Sequence, residues 1–565
     1  MPSFVIRQLA VVALAAALAT ASRTAIAENA PTRTVAATED STVSQTLRLL
    51  TETANHPYLT WPDYPHYQDE MEELYEPGGY GLLWFEGGMP TPQARAAVEA
   101  LLGADVHALH PEDYDASRLD ELLASIAGGR EVDGSELALV DAAISVGFLR
   151  FLSDLHIGRV NPHNLSFGFN VEDRKLDLAP VVRAAIQNDQ VPETVARVEP
   201  KFPQYDRMQN VLAEYRELAT RELPRLPDGT TVHPGDEYAA TSDLRTRLIA
   251  LGDLAADAPS AGAAYEGELV QAVERFQARH GLDPDGVIGK ATFAELNTPV
   301  ADRVHQIELA LERLRWLPDV LDAPLAVVNV PAFELWVLDP TQPDDRIALD
   351  MRVVVGKAVS KQTPAFRGDM RYVVLSPYWN VPYSIAVNEI LPALKRDPGY
   401  LDSHNMEIVA ESGPNATPLP ASEENVAAVR AGQLRIRQKP GGRNSLGPAK
   451  FIFPNAEAIY FHGTPATQLF ARTRRDFSHG CIRLEDPQAM AEWVLRDQPE
   501  WTSERIGEAM SKDVPTRVDL TASLPVIIFY TTVLADEERP HFYRDIYGHD
   551  RALDAALQMG YPFPP

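Results

Sequence analysis

At 565 residues the chain is too long for one domain of about 150 residues, so three to four domains are expected. Hydrophobic residues make up 45% and aromatics 8%, enough to bury cores, which excludes wholesale disorder. Fifty-one Lys and Arg against 80 Asp and Glu give a net charge of −29, which removes any general electrostatic reason to bind nucleic acid or anionic lipid. There is one cysteine, Cys481, so neither an internal disulfide nor a cysteine-based zinc or iron–sulfur cage can form.

Residues 1–27 read as a secretory signal peptide. Arg7 supplies a short basic start, LAVVALAAALATA an apolar run, and AIA at Ala25 to Ala27 a small-x-small site before Glu28. Cleavage is expected after Ala27. A site after Ala21 and a retained anchor are the alternatives, although the run falls short of the ~20 residues that span a bilayer. Export matters for the cysteine, because an unpaired thiol kept in an oxidising compartment calls for a reason.

Residues 28–45 form a polar lead-in, and 46–230 a helical domain. ARAAVEALLGA, SRLDELLASIAG, LALVDAAISVGFLRFLSDLHIG and APVVRAAI repeat apolar residues at three- and four-residue spacing between Pro, Gly and Asp breakers. His156 and Arg159 in LHIGRVNP read as a helix end capped by Gly158 and stopped by Pro162. A Pro/Gly-rich boundary at Pro224 to Tyr238 precedes a compact unit at 239–297 with three helical patterns. Leu244, Leu248 and Leu251 share one face, and Leu269, Val273 and Phe276 share another. Residues 300–316 predict an amphipathic linker helix. From about 320 to 538 the period changes to short β-branched and aromatic runs, with an insertion at 388–451. FYRDIYGHD, within a C-terminal extension at 539–565, reads as a turn into a final helix.

The chemistry concentrates in IYFHGTPATQLFARTRRDFSHGCIRLEDP. A thiol attacks carbonyls as thiolate and needs an imidazole within reach. His479 stands two residues before Cys481, and His462 ends a β-like run nineteen positions upstream. Gly480 permits close approach of a substrate, and the amides around Gly480 and Cys481 form a candidate oxyanion hole. Arg483 offers a fixed cation to an anionic substrate. Zinc held by Cys481, His462 and His479 is the rival reading, weakened because no fourth ligand stands at a recognisable spacing.

Two families are recognisable in these residues. FQ followed by HGL-x-PDG-x-IG-x-x-T resembles the type 1 peptidoglycan-binding module, and HGT with SHGCIR resembles the signature of L,D-transpeptidases with a YkuD-type catalytic domain. RVVVGK with Thr363-Pro364 and SPYWNVPYSI agree, and the domain order resembles the large periplasmic, YcbB-like members. The resemblance implies a multidomain α+β protein: a helical scaffold, a small three-helix peptidoglycan-binding module and a mostly-β catalytic domain carrying a capping insertion.

It further implies Cys481 as nucleophile and His462 as general base and acid, oriented by the Gly463 carbonyl, with His479 shaping the site. Arg483 and Ser478 would meet the donor peptide, Tyr460 and Trp379 would wall the pocket, and Arg435 and Arg437, in a locally basic strip, would attract stem-peptide carboxylates. The implied reaction releases D-Ala from a tetrapeptide stem through a cysteine thioester. A second stem amine then forms a 3→3 cross-link, with no metal or organic cofactor. Lipoprotein attachment, D-amino acid exchange and L,D-carboxypeptidase trimming are alternative fates of the same acyl-enzyme. A cysteine endopeptidase of proteins and a non-catalytic wall-binding scaffold are more distant rivals. Carbapenem reactivity, further wall-synthesis or lipoprotein partners, and a periplasmic location are also implied.

Overall fold

A computed structural model describes residues 41–559, apart from 228, 260–261, 319–322, 342–346, 412 and 414–415. The expected signal peptide and most of the 28–45 lead-in lie outside the described residues. The architecture is multidomain α+β: a helical scaffold, a small helical module and a mostly-β catalytic domain.

The scaffold is organised around the helix Gly134–Ile157, which is apolar on nearly every side and therefore runs through the domain's interior. Asp133 caps its start by accepting the Glu136 N–H at 2.8 Å. The helix ends at Gly158, with φ of 84°. A Cβ at Gly158 would lie 2.7 Å from the Glu312 carboxylate and 2.9 Å from the Trp316 indole nitrogen, so glycine is required there by the close approach of a second helix. Arg159 pairs with Asp113 at 2.7 Å, and its main-chain N–H donates to Glu312 at 2.6 Å, in keeping with a structural reading of LHIGRVNP.

One boundary moves. The scaffold's own core runs from Val43 to Val198, whereas Tyr205, Met208 and Leu212 on helix Pro203–Ala219 join the core of the catalytic domain. The expected linker helix, Val300–Leu314, is likewise a core element: Leu311, Arg313 and the following Arg315 and Trp316 are fully buried. Arg315 pairs with Glu312 at 2.8 Å.

The small module contains the three expected helices, Thr241–Ala250, Glu268–Arg279 and Lys290–Leu296. Leu244, Leu248, Leu269, Val273 and Phe276 fill its core. It docks on the catalytic domain through Arg279, which pairs with buried Asp253 at 2.6 Å and donates to the Pro540 carbonyl at 3.3 Å.

Nine strands form the catalytic sheet: β1 (Leu325–Asn329), β2 (Glu334–Leu338), β3 (Ile347–Gly356), β4 (Phe366–Leu375), β5 (Ala449–Ile452), β6 (Phe461–His462), β7 (Asp476–Ser478), β8 (Ile482–Leu484) and β9 (Thr516–Phe529). Their order is β7-β3-β8-β6-β5-β4-β9-β1-β2, and β2 pairs back onto β3, so the sheet closes on itself. The insertion folds as a cap with its own four-stranded sheet, from Trp379–Asn380, Arg435–Gln438, Met406–Val409 and Pro418–Leu419. The cap therefore starts before residue 388, and β5, inside the range assigned to it, belongs to the catalytic sheet.

Candidate active site

The site follows from strand register. β6 and β8 are parallel neighbours, with Phe461 beside Ile482 and His462 beside Arg483; one step back, Tyr460 lies beside Cys481. β5 runs antiparallel to β6 on its other side, with Lys450 opposite His462. Because side chains alternate between faces, Lys450, His462 and Arg483 form one row across three strands, and Tyr460 and Cys481 the adjacent row on the same face. The intervening Phe451, Phe461 and Ile482 point into the core, where all three are fully buried. This alternation is why the chain supplies polar and apolar residues by turns here.

His462 is buried, and its Nδ1 faces the Gly463 carbonyl at 2.5 Å. A neutral ring in that position carries its proton on Nδ1 and leaves the Nε2 lone pair free to accept. Burial, aided by Arg483 and by Lys450, pulls the imidazole down to about 3, against the opposing carbonyls of Gly463 and Leu446. It is therefore neutral across the physiological range, as a general base must be.

Burial also pushes the Cys481 thiol up, while hydrogen bonds from Tyr460 and the charges of Lys450 and Arg483 pull it back. The resting pair is thus thiol and imidazole rather than thiolate and imidazolium. Among the described residues Cys481 and His462, diagonal neighbours, share no hydrogen bond; the sulfur faces the Ala458 carbonyl at 3.9 Å. Tyr460 sits at the centre of the group. Its phenol is raised by burial and by Cys481 and stays protonated as a donor, and the Lys450 ammonium lies 4.0 Å over its ring. Among the described residues neither Lys450 nor Arg483 has a carboxylate partner, and the Arg483 Nε is buried without a hydrogen bond. Burial lowers both cations, and the cysteine's negative charge raises both.

The Ser-His-Gly-Cys loop is internally fixed. Ser478 Oγ accepts the Gly480 N–H at 3.1 Å and donates to the Cys481 carbonyl at 2.6 Å. Gly480 itself adopts φ of 119°, which only glycine tolerates well. This corrects two expectations: the Gly480 amide is already bonded to Ser478 and not free as an oxyanion donor, and Ser478 is buried beneath the loop and not facing a peptide. His479 lies at the mouth, its Nε2 2.8 Å from Glu389 of the cap, where it links the cap to the motif.

Two further expectations are redirected. Arg437 is 2% exposed. It pairs with Glu407 at 2.6 Å, donates to the Ala416 carbonyl at 3.1 Å and stacks over Tyr378, so it holds the cap together and cannot meet a stem carboxylate. Arg435, on the same strand, is exposed. Trp379 belongs to the cap sheet and packs against the cap's own core, not against Cys481.

Two contributors were not foreseen as site residues. Sequence reasoning misses Lys450, since its position opposite His462 depends on the β5–β6 pairing. Thr363 donates its hydroxyl to the Gly480 carbonyl at 2.7 Å while accepting the Gly356 N–H at 2.8 Å. A threonine before proline gives no sequence cue to that bond beyond the family resemblance.

Three family descriptions match the chain: "L,D-transpeptidase catalytic domain" over residues 323–528, "putative peptidoglycan binding domain" over 238–296, and "scaffold domain" over 69–212. A "Putative L,D-transpeptidase" of Haemophilus influenzae is 31% identical over 252 residues, 45% of this chain and 49% of that protein. The "N-acetylmuramoyl-L-alanine amidase CwlM" of Mycobacterium tuberculosis is 38% identical over 80 residues, 13% of this chain and 20% of that one. The chain thus spans about half or less of the length of the curated relatives it matches. A crystal structure of the L,D-transpeptidase (residues 123–326) from Xylanimonas cellulosilytica is 16% identical and covers 54% of this chain and 100% of that one, with a TM-score of 0.18, too low to bear on the fold.

Proposed function

We propose that this chain, whose residues 323–528 carry an L,D-transpeptidase catalytic domain, is a peptidoglycan L,D-transpeptidase working through a Cys481 thioester in the periplasm. The observation that supports this best is an otherwise solitary thiol set diagonally beside a buried, neutral imidazole, flanked by two cations that have no carboxylate partner among the described residues. Cys481 gives its proton to His462 Nε2, and the sulfur attacks the carbonyl that joins the third stem residue to the terminal D-Ala. Tyr460, Lys450 and Arg483 stabilise the negative charge as it forms on sulfur and then on the carbonyl oxygen. The C–N bond breaks, the amine leaves with the proton carried by His462, and a thioester remains.

His462, neutral again, takes a proton from the amine of a second stem as that amine attacks the thioester. The products are a 3→3 cross-link and the free thiol. Each step uses side chains of this chain alone. The peptidoglycan-binding module supports a wall substrate over a protein one. Lipoprotein attachment, D-amino acid exchange and carboxypeptidase trimming differ only in the nucleophile that resolves the thioester.

The test is incubation with purified disaccharide tetrapeptides followed by mass spectrometry. Cross-linked dimers that have lost one D-Ala support the reading. A tripeptide product alone would turn it to trimming. Neither product, together with no carbapenem adduct on Cys481, would sink it.

A further inference from the structure

The conformation of the cysteine loop is imposed from beneath, through a chain of hydrogen bonds that ends far away in sequence. The Gly480 carbonyl accepts from Thr363 Oγ1, which also takes the Gly356 N–H. Beside that direct bond, the turn between Gly356 and Thr363 is bridged at both ends by one phenol. Tyr547 donates its hydroxyl to the Gly356 carbonyl at 2.6 Å, and the same oxygen accepts the Thr363 N–H at 3.2 Å. That turn has no room to rearrange: a Cβ at Gly356 would sit 2.0 Å from the Lys361 carbonyl oxygen and 2.8 Å from the Thr363 nitrogen. It reaches the motif a second time through the Lys357 N–H, which donates to the Ser478 carbonyl at 3.1 Å.

Tyr547 is itself fixed. Its main-chain N–H donates to the Tyr530 hydroxyl at 2.9 Å, the two rings stack at 5.5 Å, and Tyr530 donates to Asp545 at 2.5 Å. Asp545 accepts the His549 and Asp550 N–H groups that open the terminal helix His549–Gln558. The scaffold presses on the same assembly: Phe167 meets the His549 ring at 5.1 Å, and the Gly168 N–H donates to the Ala365 carbonyl at 2.8 Å, two residues beyond Thr363. Burial pushes the Tyr547 phenol up to about 12, so it remains a donor at any working pH.

We propose that Tyr547 is a positioning residue for Cys481. Its hydroxyl locks the Gly356–Thr363 turn, Thr363 holds the Gly480 carbonyl, and Gly480 thereby keeps the left-handed conformation that presents the sulfur to the acyl donor. The C-terminal extension is then a brace for the nucleophile, seated partly on the scaffold. This rests on Cys481 being the nucleophile but not on the identity of the peptide.

The experiment uses the full chain and reads the rate at which iodoacetamide alkylates Cys481, followed by mass spectrometry across a pH series, beside turnover of disaccharide tetrapeptides. Tyr547→Phe keeps the ring and its stacking and removes one oxygen. Its alkylation rate and kcat fall about tenfold, the loss expected when one hydrogen bond that holds a reacting group is removed. KM stays within about twofold, because no contact with the peptide is lost. Thr363→Val falls similarly and Thr363→Ser, which keeps the hydroxyl, recovers most of the rate. The double variant Tyr547→Phe/Thr363→Val falls no further than the worse single variant, since both act through one carbonyl.

An alkylation rate for Tyr547→Phe within twofold of the parent at every pH would overturn the proposal. If that variant does not fold, a Thr363→Val rate equal to that of Thr363→Ser would overturn it instead, as would additive losses in the double variant. Alkylation needs no peptide, so a parent protein that alkylates yet yields no muropeptide product refutes the proposed activity and leaves this comparison decisive.

Discussion

Replacing Lys450 by methionine removes a positive charge from beside the thiol while keeping a flexible chain of similar length over the Tyr460 ring. Among the described residues the ammonium has no carboxylate partner, so its removal leaves no acid uncompensated, unlike the break-up of a buried ion pair. Lys450 and Cys481 lie two strands apart, but the ammonium reaches 4.0 Å over the ring of Tyr460, the cross-strand neighbour of Cys481, which leaves the two charges roughly 7 Å apart. Two unit charges at that distance, in an effective dielectric of about 20, interact by about 2 kcal/mol. At fixed neutral pH, Lys450→Met is therefore expected to alkylate with iodoacetamide ten- to thirtyfold more slowly than the parent, the factor that follows from about 1.4 kcal/mol per decade.

The deficit should shrink as pH rises, because the missing cation affects how readily the thiol ionises and not the reactivity of the thiolate once formed. The same ammonium also helps to hold His462 down, so the imidazole of the variant should titrate above its present value of about 3. Lys450→Arg, which retains charge, should keep most of the parent rate. Superimposable pH–rate profiles for Lys450→Met and the parent would refute the electrostatic argument.

Gly447 packs against the residue that orients the base. A Cβ there would lie 2.5 Å from the Thr464 nitrogen and 2.7 Å from the Gly463 carbonyl carbon, in a backbone with φ of 63°. Gly447→Ala should lower kcat at least tenfold with a smaller change in KM, measured on disaccharide tetrapeptides. Arg437→Met removes the buried partner of Glu407 and leaves it only the half-exposed Lys439 at 3.1 Å, which should destabilise the cap by about 1–3 kcal/mol; faster proteolysis within 379–438, with alkylation of Cys481 near parental, is the expected signature. His462 binds its proton at about 3 in the folded protein and near 6.5 when unfolded, so the unfolded state gains protons first as pH falls. Its contribution makes stability drop between about pH 6.5 and 3 and is nil above that window; His462→Gln should flatten the acid slope in urea unfolding series, and an unchanged slope would refute it.

Helices and strands were legible wherever period and burial coincide. Leu244, Leu248 and Phe276 face the module's core as their spacing requires, and the catalytic strands follow their β-branched runs. TRVDL and PVIIFY read as separate strands because TASL intervenes, yet the ladder continues across it as one strand, Thr516–Phe529, with a register shift between Asp519 and Leu524. The site was legible where local motif dictates local geometry: His462 Nδ1 meets the Gly463 carbonyl, its immediate neighbour.

Illegible were residues whose role depends on pairing across a long gap. Arg435 and Arg437 look alike in sequence, but the antiparallel partner of Arg437 is Glu407, thirty positions earlier, and that pairing turns a basic strip into a cap core. The linker helix misled for a related reason. Its polar residues Arg313 and Arg315 are fully buried because Asp550 and Glu312 meet them, and the first of these partners lies over two hundred residues away.

The charge arrangement at Cys481 has a direction to it. A resting thiolate–imidazolium pair would already use the two cations, and the ground state would enjoy most of the stabilisation they offer. Here both groups rest neutral, because burial raises the thiol and lowers the imidazole. Lys450 and Arg483 therefore find their counter-charge only as the sulfur, and then the carbonyl oxygen, becomes negative along the reaction. Interactions that strengthen on the way to the transition state raise kcat, whereas those made equally with the resting enzyme do not. A chain of net charge −29 has no shortage of carboxylates, yet among the described residues none pairs with these two cations, which keeps their field available to the reacting anion. By the same logic, an acidic residue introduced beside Lys450 would cost turnover even if it strengthened the fold.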